Sequence, residues 1–188
     1  MTTSASPDTQ TTWTIDPTHT LVEFSTKHMM ITTVKGRFTD VKGTIVTDER
    51  DPSKSSAEVT IGTASLSTGT DARDEHLRSA DFFDVEKFPA ITFRSKRIDG
   101  VSLAPGAAFT VVGDLTVRDV TKEVTLDATF EGAGKDPWGN EKASFSASTK
   151  IDRREFGLTW NAALETGGVL VSNDIRISIE AQAVKASA

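Results

Sequence analysis

The sequence predicts an all-β fold, an antiparallel sheet of eight or nine strands closed into a barrel, and three observations carry that prediction. Apolar residues recur with period two along most of the chain, the rhythm of strands with one buried and one wet face. Turn residues punctuate the runs at Asp48 to Ser56 around Pro52, Asp99-Gly100, Gly132 to Asn140 around Pro137, Gly167-Gly168 and Ser172-Asn173-Asp174, each cluster suited to reverse the chain. A sheet this long must also dispose of its edges, and closure removes them.

In chain order, residues 1–11 are rich in Ser, Thr, Pro and Asp and read as a disordered tail, short of the apolar surface that ordering requires. Alternation begins at Val22 and Phe24, and Asp16-Pro17 just before them is suited to bend one strand into two. A one-turn helix is expected near Lys27 to Thr33, followed by strands through Val41, Gly43 and Ile45, then Ala57, Val59 and Ile61. Asp71 to Ala80 breaks the rhythm. Its helix formers, Asp start, early acids and Asp74–Arg78 pair at i,i+4 predict a short helix leading into Phe82-Phe83. Period two resumes at Ile91-Phe93-Ser95, at Phe109 to Val117, at Val124 to Phe130, at Phe145 to Ile151 and at Ile175-Ile177-Ile179. The ordered domain is expected over 12–182, with 183–188 a C-terminal tail.

Composition narrows the function. A chain of 188 residues suits one domain with a sizeable core. The net charge of −6 comes without a basic stripe to release counterions from phosphates, which argues against nucleic acid. With no cysteine, disulfides and thiolate metal sites are excluded. No run approaches the roughly 18 apolar residues of a membrane span, so stable membrane insertion is not expected. The opening MTTSASPDTQTT has no basic stretch followed by an apolar one, and a cytoplasmic location is the expectation.

At about eight strands a barrel either fills with its own side chains or holds one small ligand. The inward set mixes large residues (Phe24, Phe93, Phe145) with small ones (Gly43, Ala57, Gly113, Ala128, Ala147). Small residues leave room unless bulky neighbours take it.

Three histidines are the candidates for a base or a metal site. His19 follows a Pro-Thr turn and fits a turn-capping role; His76 sits in the acidic helix, where exposure or end-capping fits best. His28 shares parity with Val22, Phe24 and Thr26, which aims it at one end of the interior, where it is placed to donate to a polar head group or simply to close the barrel. No HxH or HExxH spacing occurs, and no metal is expected. Asp74, Glu75, Asp81 and Asp84 scatter around the helix and its exit, where acids complement the dipole rather than pair for catalysis. Arg73, Arg153 and Arg154 are candidates to clamp a phosphate, with pairing to these acids the more economical reading. Met29-Met30-Ile31 is an apolar patch that reads as a lid or as a plug under a loop. Of the tryptophans, Trp160 is the best candidate for lining the interior, Trp13 reads as core packing, and Trp138, in a Pro-Trp-Gly turn, as a loop tip folded onto the surface.

A series of spaced pieces then resembles a known family. They run from Trp13-Thr-Ile-Asp16-Pro-Thr-His19 and Val22-Glu-Phe24 through Val34-Lys-Gly36-Arg-Phe38 and Ala64-Ser-Leu-Ser-Thr68-Gly69. The most specific block spans Arg73-Asp74-Glu-His76-Leu77 to Phe82-Phe83-Asp84 and Phe88-Pro89, and Gly113-Asp-Leu115-Thr116, Val120-Thr121-Lys122 and Ile151-Asp-Arg153 to Phe156-Gly157-Leu158-Thr-Trp160 follow. Together they resemble the YceI-like, lipocalin-like, polyisoprenoid-binding proteins of bacteria. Asp119 replaces the family's common turn glycine and Glu155 its aspartate; Asp tolerates left-handed turns, so the hairpin survives.

The resemblance implies an extended, eight-stranded lipocalin-like barrel with one or two short helices. Its tunnel would take a polyisoprenoid or the tail of an isoprenoid quinone, and the protein would store or transport that lipid. The expected lining is Val22, Phe24, His28, Phe38, Ile45, Val59, Ile61, Phe93, Leu115, Phe145, Ala147 and Ile177, with Trp160 added from its place beside Leu158 in the matched block. The resemblance supplies no catalytic residue, catalytic cofactor or metal, and a homodimer stays compatible with it. Two rivals remain: a filled barrel acting through a protein partner, and a small-molecule enzyme or isomerase using His28 and an arginine. Far-ultraviolet circular dichroism should show a dominant β signal with a small helical part; a helix-dominated spectrum would refute the barrel.

Overall fold

The computed structural model describes residues 9–187. Eleven strands form one antiparallel sheet: β1 (Gln10–Ile15), β2 (Leu21–His28), β3 (Thr32–Phe38), β4 (Val41–Asp48), β5 (Ser56–Gly62), β6 (Leu66–Ser67), β7 (Ala90–Asp99), β8 (Ala107–Val117), β9 (Val120–Lys135), β10 (Glu141–Asp152) and β11 (Asp174–Lys185). One α-helix occurs among the described residues, α1 (Asp71–Arg78).

The eleven segments make eight staves. β1 and β2 are successive halves of one bent strand, since both pair with β11: Trp13 to Ile15 lie opposite Lys185 to Ala183, and Leu21 to Ser25 opposite Glu180 to Arg176. β3 and β4 follow the same bend on the other side, β3 against β2 and β4 against β1. β5 and β6 continue it against β4 and β3. From there the order β5-β7-β8-β9-β10-β11 returns to the first strand, and the sheet has no free edge where it closes.

The bend sits at Asp16-Pro17, as the sequence suggests. Proline cannot donate to a ladder, so the chain leaves the sheet for a single 310 turn, Pro17–His19. Asp16 caps it, its Oδ1 accepting from the Thr18 amide at 3.0 Å and its Oδ2 facing His19 Nδ1 at 2.9 Å. Thr20 Oγ1 then donates to the Gln182 carbonyl and accepts from the Gln182 amide, which keeps the kink attached to β11. His19 lies within the turn and pairs with the capping Asp16, a structural role as the sequence suggested.

Several boundaries differ from the sequence reading. Gln10 and Thr11 belong to β1, opposite Asp48 and Thr47, and β11 runs to Lys185. Cross-strand hydrogen bonds, which polarity alone does not reveal, extend the barrel beyond 12–182. Residues 1–8 of the expected tail lie outside the described residues. The helix expected near Lys27 to Thr33 is instead the β2–β3 hairpin, with Lys27 opposite Thr33. Gly132 lies within β9 at a bulge, where the register against β10 shifts at Ser144 and Phe145. At the β8–β9 turn, Arg118 and Asp119 hold φ of 52° and 60°, the left-handed pair that a two-residue hairpin requires.

One end of the barrel gathers α1, the turn after it, the β2–β3 and β8–β9 hairpins and the 157–173 loop. The i,i+4 pair expected in α1 does not form. Asp74 is buried and turned back to accept from the Thr68 amide and hydroxyl, while Arg78 donates to the Ala64 and Leu66 carbonyls. Burial pushes the Asp74 carboxyl up, but these bonds with Arg78 and Arg73 nearby hold it below its ordinary value. The helix thereby anchors Leu66, Phe82 and Phe156, all nearly inaccessible.

Asp16 and Asp152 carry the largest acid shifts. The Thr18 hydroxyl holds Asp16 at about 2, against an ordinary 3.8, and Arg154 does the same for Asp152. A carboxyl lowered in the fold contributes stability that is complete above pH 3.8 and lost as pH falls toward 2. The melting temperature should therefore drop through that window. Asp16→Asn should cost on the order of 1–2 kcal/mol at neutral pH and flatten the acid slope in thermal melts; an unchanged slope would refute the role of Asp16.

Candidate functional site

Inward residues of all eight staves enclose a cavity of about 290 Å³. It reaches Ile98, Val101 and Phe109 at the end that carries the termini and Phe82, Leu158 and Val171 at the end that carries α1. On β8 alone it is lined from Phe109 to Val117, about 27 Å of strand at the usual rise. So modest a volume along so long a path is a slot rather than a bowl.

The alternation of the strands makes that wall. Val22 and Phe24 of β2, Phe38 of β3, Ile45 of β4, and Val59 and Ile61 of β5 all line it. So do Phe93 of β7, Leu115 of β8, Phe145 and Ala147 of β10, and Ile177 of β11. Residues missed by the sequence reading join them, among them Val124 and Leu126 of β9, Ile175 and Ile179 of β11, and Leu77, Phe82 and Phe83 from the helical cap. The β residues were legible from parity. The cap residues were not, because a short helix carries no periodicity that points across a barrel.

Two expected lining residues are elsewhere. His28 is the last residue of β2, paired with Thr32 and bridged to Val171, and is not among the residues that line the slot. Trp160 packs behind the cap, its ring 4.7 Å from His76 and 5.4 Å from Phe82. It supports the lining through Phe82 and does not contribute to it. His76 also faces Asp81 at 2.8 Å, consistent with its end-capping reading.

The small residues play a double role. A Cβ on Gly36 would stand 2.3 Å from Phe24 Cζ, and one on Gly113 would stand 2.5 Å from both Phe93 Cζ and the Arg94 carbonyl. Each glycine admits the ring of the phenylalanine paired with it or beside it across the ladder. Phe24 then joins Phe38 and Phe83 at centroid distances of 5.4 and 6.4 Å. Neighbouring rings take this glycine space, as the filled-core alternative anticipated, yet a slot remains between them.

Charge hardly enters the wall. Arg153 lines it but is only 4% exposed and is neither a clamp for phosphate nor the partner of an acid. Its Nε donates to the Ser172 carbonyl at 3.0 Å and its Nη1 to the Leu158 and Trp160 carbonyls at 2.7 and 2.8 Å. Burial lowers its pKa. It is a clasp for the 157–173 loop. Arg154 pairs with Asp152, and Arg73 with Thr68 and Thr70. The Glu23 side chain, opposite in parity to Val22 and Phe24, faces outward and pairs with Lys35 at 2.9 Å. Among the described residues no three His, Cys, Asp or Glu side chains gather to hold a metal, and no helix is long and apolar enough to cross a membrane.

The profile of the YceI-like domain matches residues 13–183. The chain belongs to the YceI-like family. A UPF0312 protein of Staphylococcus aureus is 37% identical over 173 residues, covering 92% of this chain and 96% of that one. The Campylobacter jejuni YceI crystal structure superposes with a TM-score of 0.72 at 33% identity, over 86% of this chain and 90% of that one. A polyisoprenoid binding domain from Saccharophagus degradans shares the fold, with a TM-score of 0.69 at 14% identity over 93% of this chain and 98% of that one.

Within this YceI-like barrel, Gly36 and Gly113 separate volume from stability. In Gly36→Ala the clash falls on the ring tip of Phe24 alone, which can swing into the slot. In Gly113→Ala it falls partly on the Arg94 carbonyl, which cannot. Gly113→Ala should therefore cost on the order of 3 kcal/mol and Gly36→Ala nearer 1, with Gly36→Ala also reducing uptake of an apolar fluorescent probe. Equal melting temperatures for the two variants would contradict this.

Proposed function

We propose that the protein binds a long apolar isoprenoid-type lipid, a polyisoprenoid or the tail of an isoprenoid quinone, and stores or transports it without chemical change. One observation carries the reading: a slot running most of the barrel's length is walled almost wholly by aliphatic and aromatic side chains. Burying one methylene contributes about 0.8 kcal/mol, so a long chain laid in such a slot has ample driving force even after ordering costs. The polyisoprenoid binding domain of Saccharophagus degradans, which shares this fold, points to the same ligand class. The charged side chain at the wall, Arg153, is held by loop carbonyls. The slot therefore favours a neutral chain, with any charged head group left at a mouth. The same engagement leaves Arg153 unavailable for chemistry in the slot, which favours binding over turnover.

Organic extraction of freshly purified protein, followed by mass spectrometry, tests the reading. A stoichiometric apolar chain is expected, and a cavity that yields nothing in any expression host would favour action through a protein partner. Ala147→Phe sharpens the test, because Ala147 lines the slot. Its ring should take the place of bound lipid, so lipid content falls while the delipidated protein melts within a few degrees of wild type. A filled core would instead lose about 1–3 kcal/mol at unchanged lipid load.

A further inference from the structure

Met29, Met30 and Ile31 form the tip of the β2–β3 hairpin and stand 44%, 62% and 77% exposed. Their exposure excludes a plug under a loop, and none of the three lines the slot. Met29 and Met30 hold φ of 52° and 62°, a left-handed pair that turns normally assign to Asn and Gly. Methionine gains no local hydrogen bond there, so the backbone is held in a disfavoured conformation that presents two apolar side chains to solvent.

The tip is braced. Met29 N–H donates to the Leu170 carbonyl at 2.8 Å, Ser172 N–H donates to the Lys27 carbonyl at 2.9 Å, and His28 bridges to Val171.

Directly below, on the outer face of the sheet, Lys150, Arg176, Ser25 and Lys35 lie side by side in register across β10, β11, β2 and β3. Lys27 stands between this row and the tip. Asp174 and Glu23 pair with Lys150 and Lys35 at 3.2 and 2.9 Å. Lys27 and Arg176 have no carboxylate within salt-bridge distance among the described residues. Four cations against two carboxylates make a positive collar on a chain whose net charge is −6.

We propose that this hairpin docks the protein peripherally on an anionic lipid bilayer, the Met29-Met30-Ile31 tip entering the headgroup boundary and the Lys27–Arg176 collar meeting the anionic surface. Exposed apolar side chains rimmed by cations are the pattern that such surfaces bind, the apolar part by burial and each Lys or Arg by electrostatic attraction. Position supports the assignment: Thr26 and Val171 line the slot, so the tip begins within a few residues of the slot's own wall. Docking would bring that end of the slot against the bilayer, where an apolar chain can pass without crossing water.

Vesicle flotation with the full chain tests this, using phosphatidylcholine vesicles and vesicles that mix phosphatidylcholine with phosphatidylglycerol. Wild type should float with the mixed vesicles, far less with the neutral ones, and lose binding in high salt. Arg176→Gln should weaken binding about fivefold, and Ile31→Glu should lower it at least tenfold. Both side chains are solvent-facing, so melting temperature and co-purified lipid should stay at wild-type values. Absence of wild-type binding to mixed vesicles would overturn the proposal. So would binding unaffected by Ile31→Glu, or a dimer in solution that Ile31→Glu dissociates while vesicle binding persists. The proposal and the carrier reading fail separately: a loaded slot without vesicle binding removes the docking surface alone, and vesicle binding by a protein that never holds lipid removes the carrier alone.

Discussion

Everything in this fold depends on the first strand bonding to the last. β1 and β2 both lie on β11, and the short stretch between them stays attached through Asp16, Thr20 and Gln182. An antiparallel sheet with one apolar face must hide that face and satisfy its two edges. Closure does both at once, and it turns eight apolar faces into a single interior. A straight first strand of this length would have to follow β11 without a break. The proline bend splits the first stave into β1 and β2, and β3 to β6 repeat that division on the neighbouring staves.

Once closed, the interior is a packing problem with a partial solution. Rings from β2, β7 and the helical cap interlock where glycines on facing or adjacent strands make room, and small clusters around Ile98, Val111 and Ala128 fill the end nearer the termini. Between them the slot persists, because rings projecting from the barrel wall meet at their edges and leave the axis open. Polar side chains that approach it are turned away by stronger claims. Arg153 donates to five oxygens of the neighbouring loops, so the wall stays apolar without leaving a buried charge uncompensated.

The end that carries α1 concentrates the less regular features. Buried Asp74, the clasp at Arg153 and the Phe82–His76–Trp160 stack together hold a cap made of loop rather than sheet. The exposed Met29-Met30-Ile31 hairpin stands at the same end, which places the cap and this apolar patch on a common side. Trp138, by contrast, stands 84% exposed on the β9–β10 loop at the opposite end. It does not fold onto the surface, since the loop's bonds are all made locally by Asp136 to Trp138 and Asn140.

The sequence by itself determined most of the strands and which way they face. Period-two alternation is a local property, and a residue's parity decides its side of a sheet whatever the sheet pairs with. That is why Val22, Phe24, Ile45, Val59, Phe93, Leu115, Phe145 and Ile177 could be placed on the inner wall from spacing alone, and why Asp16-Pro17 could be read as a bend. Only the tertiary structure decided what happens where strands end. His28 ends β2 beside Val171, beyond the slot lining; Trp160 stops behind Phe82; Asp74 turns to Thr68 instead of Arg78; and Lys27 to Thr33 become a hairpin. At these positions the outcome is set by which distant group satisfies a backbone or buried polar atom, and no periodicity within the chain encodes that choice.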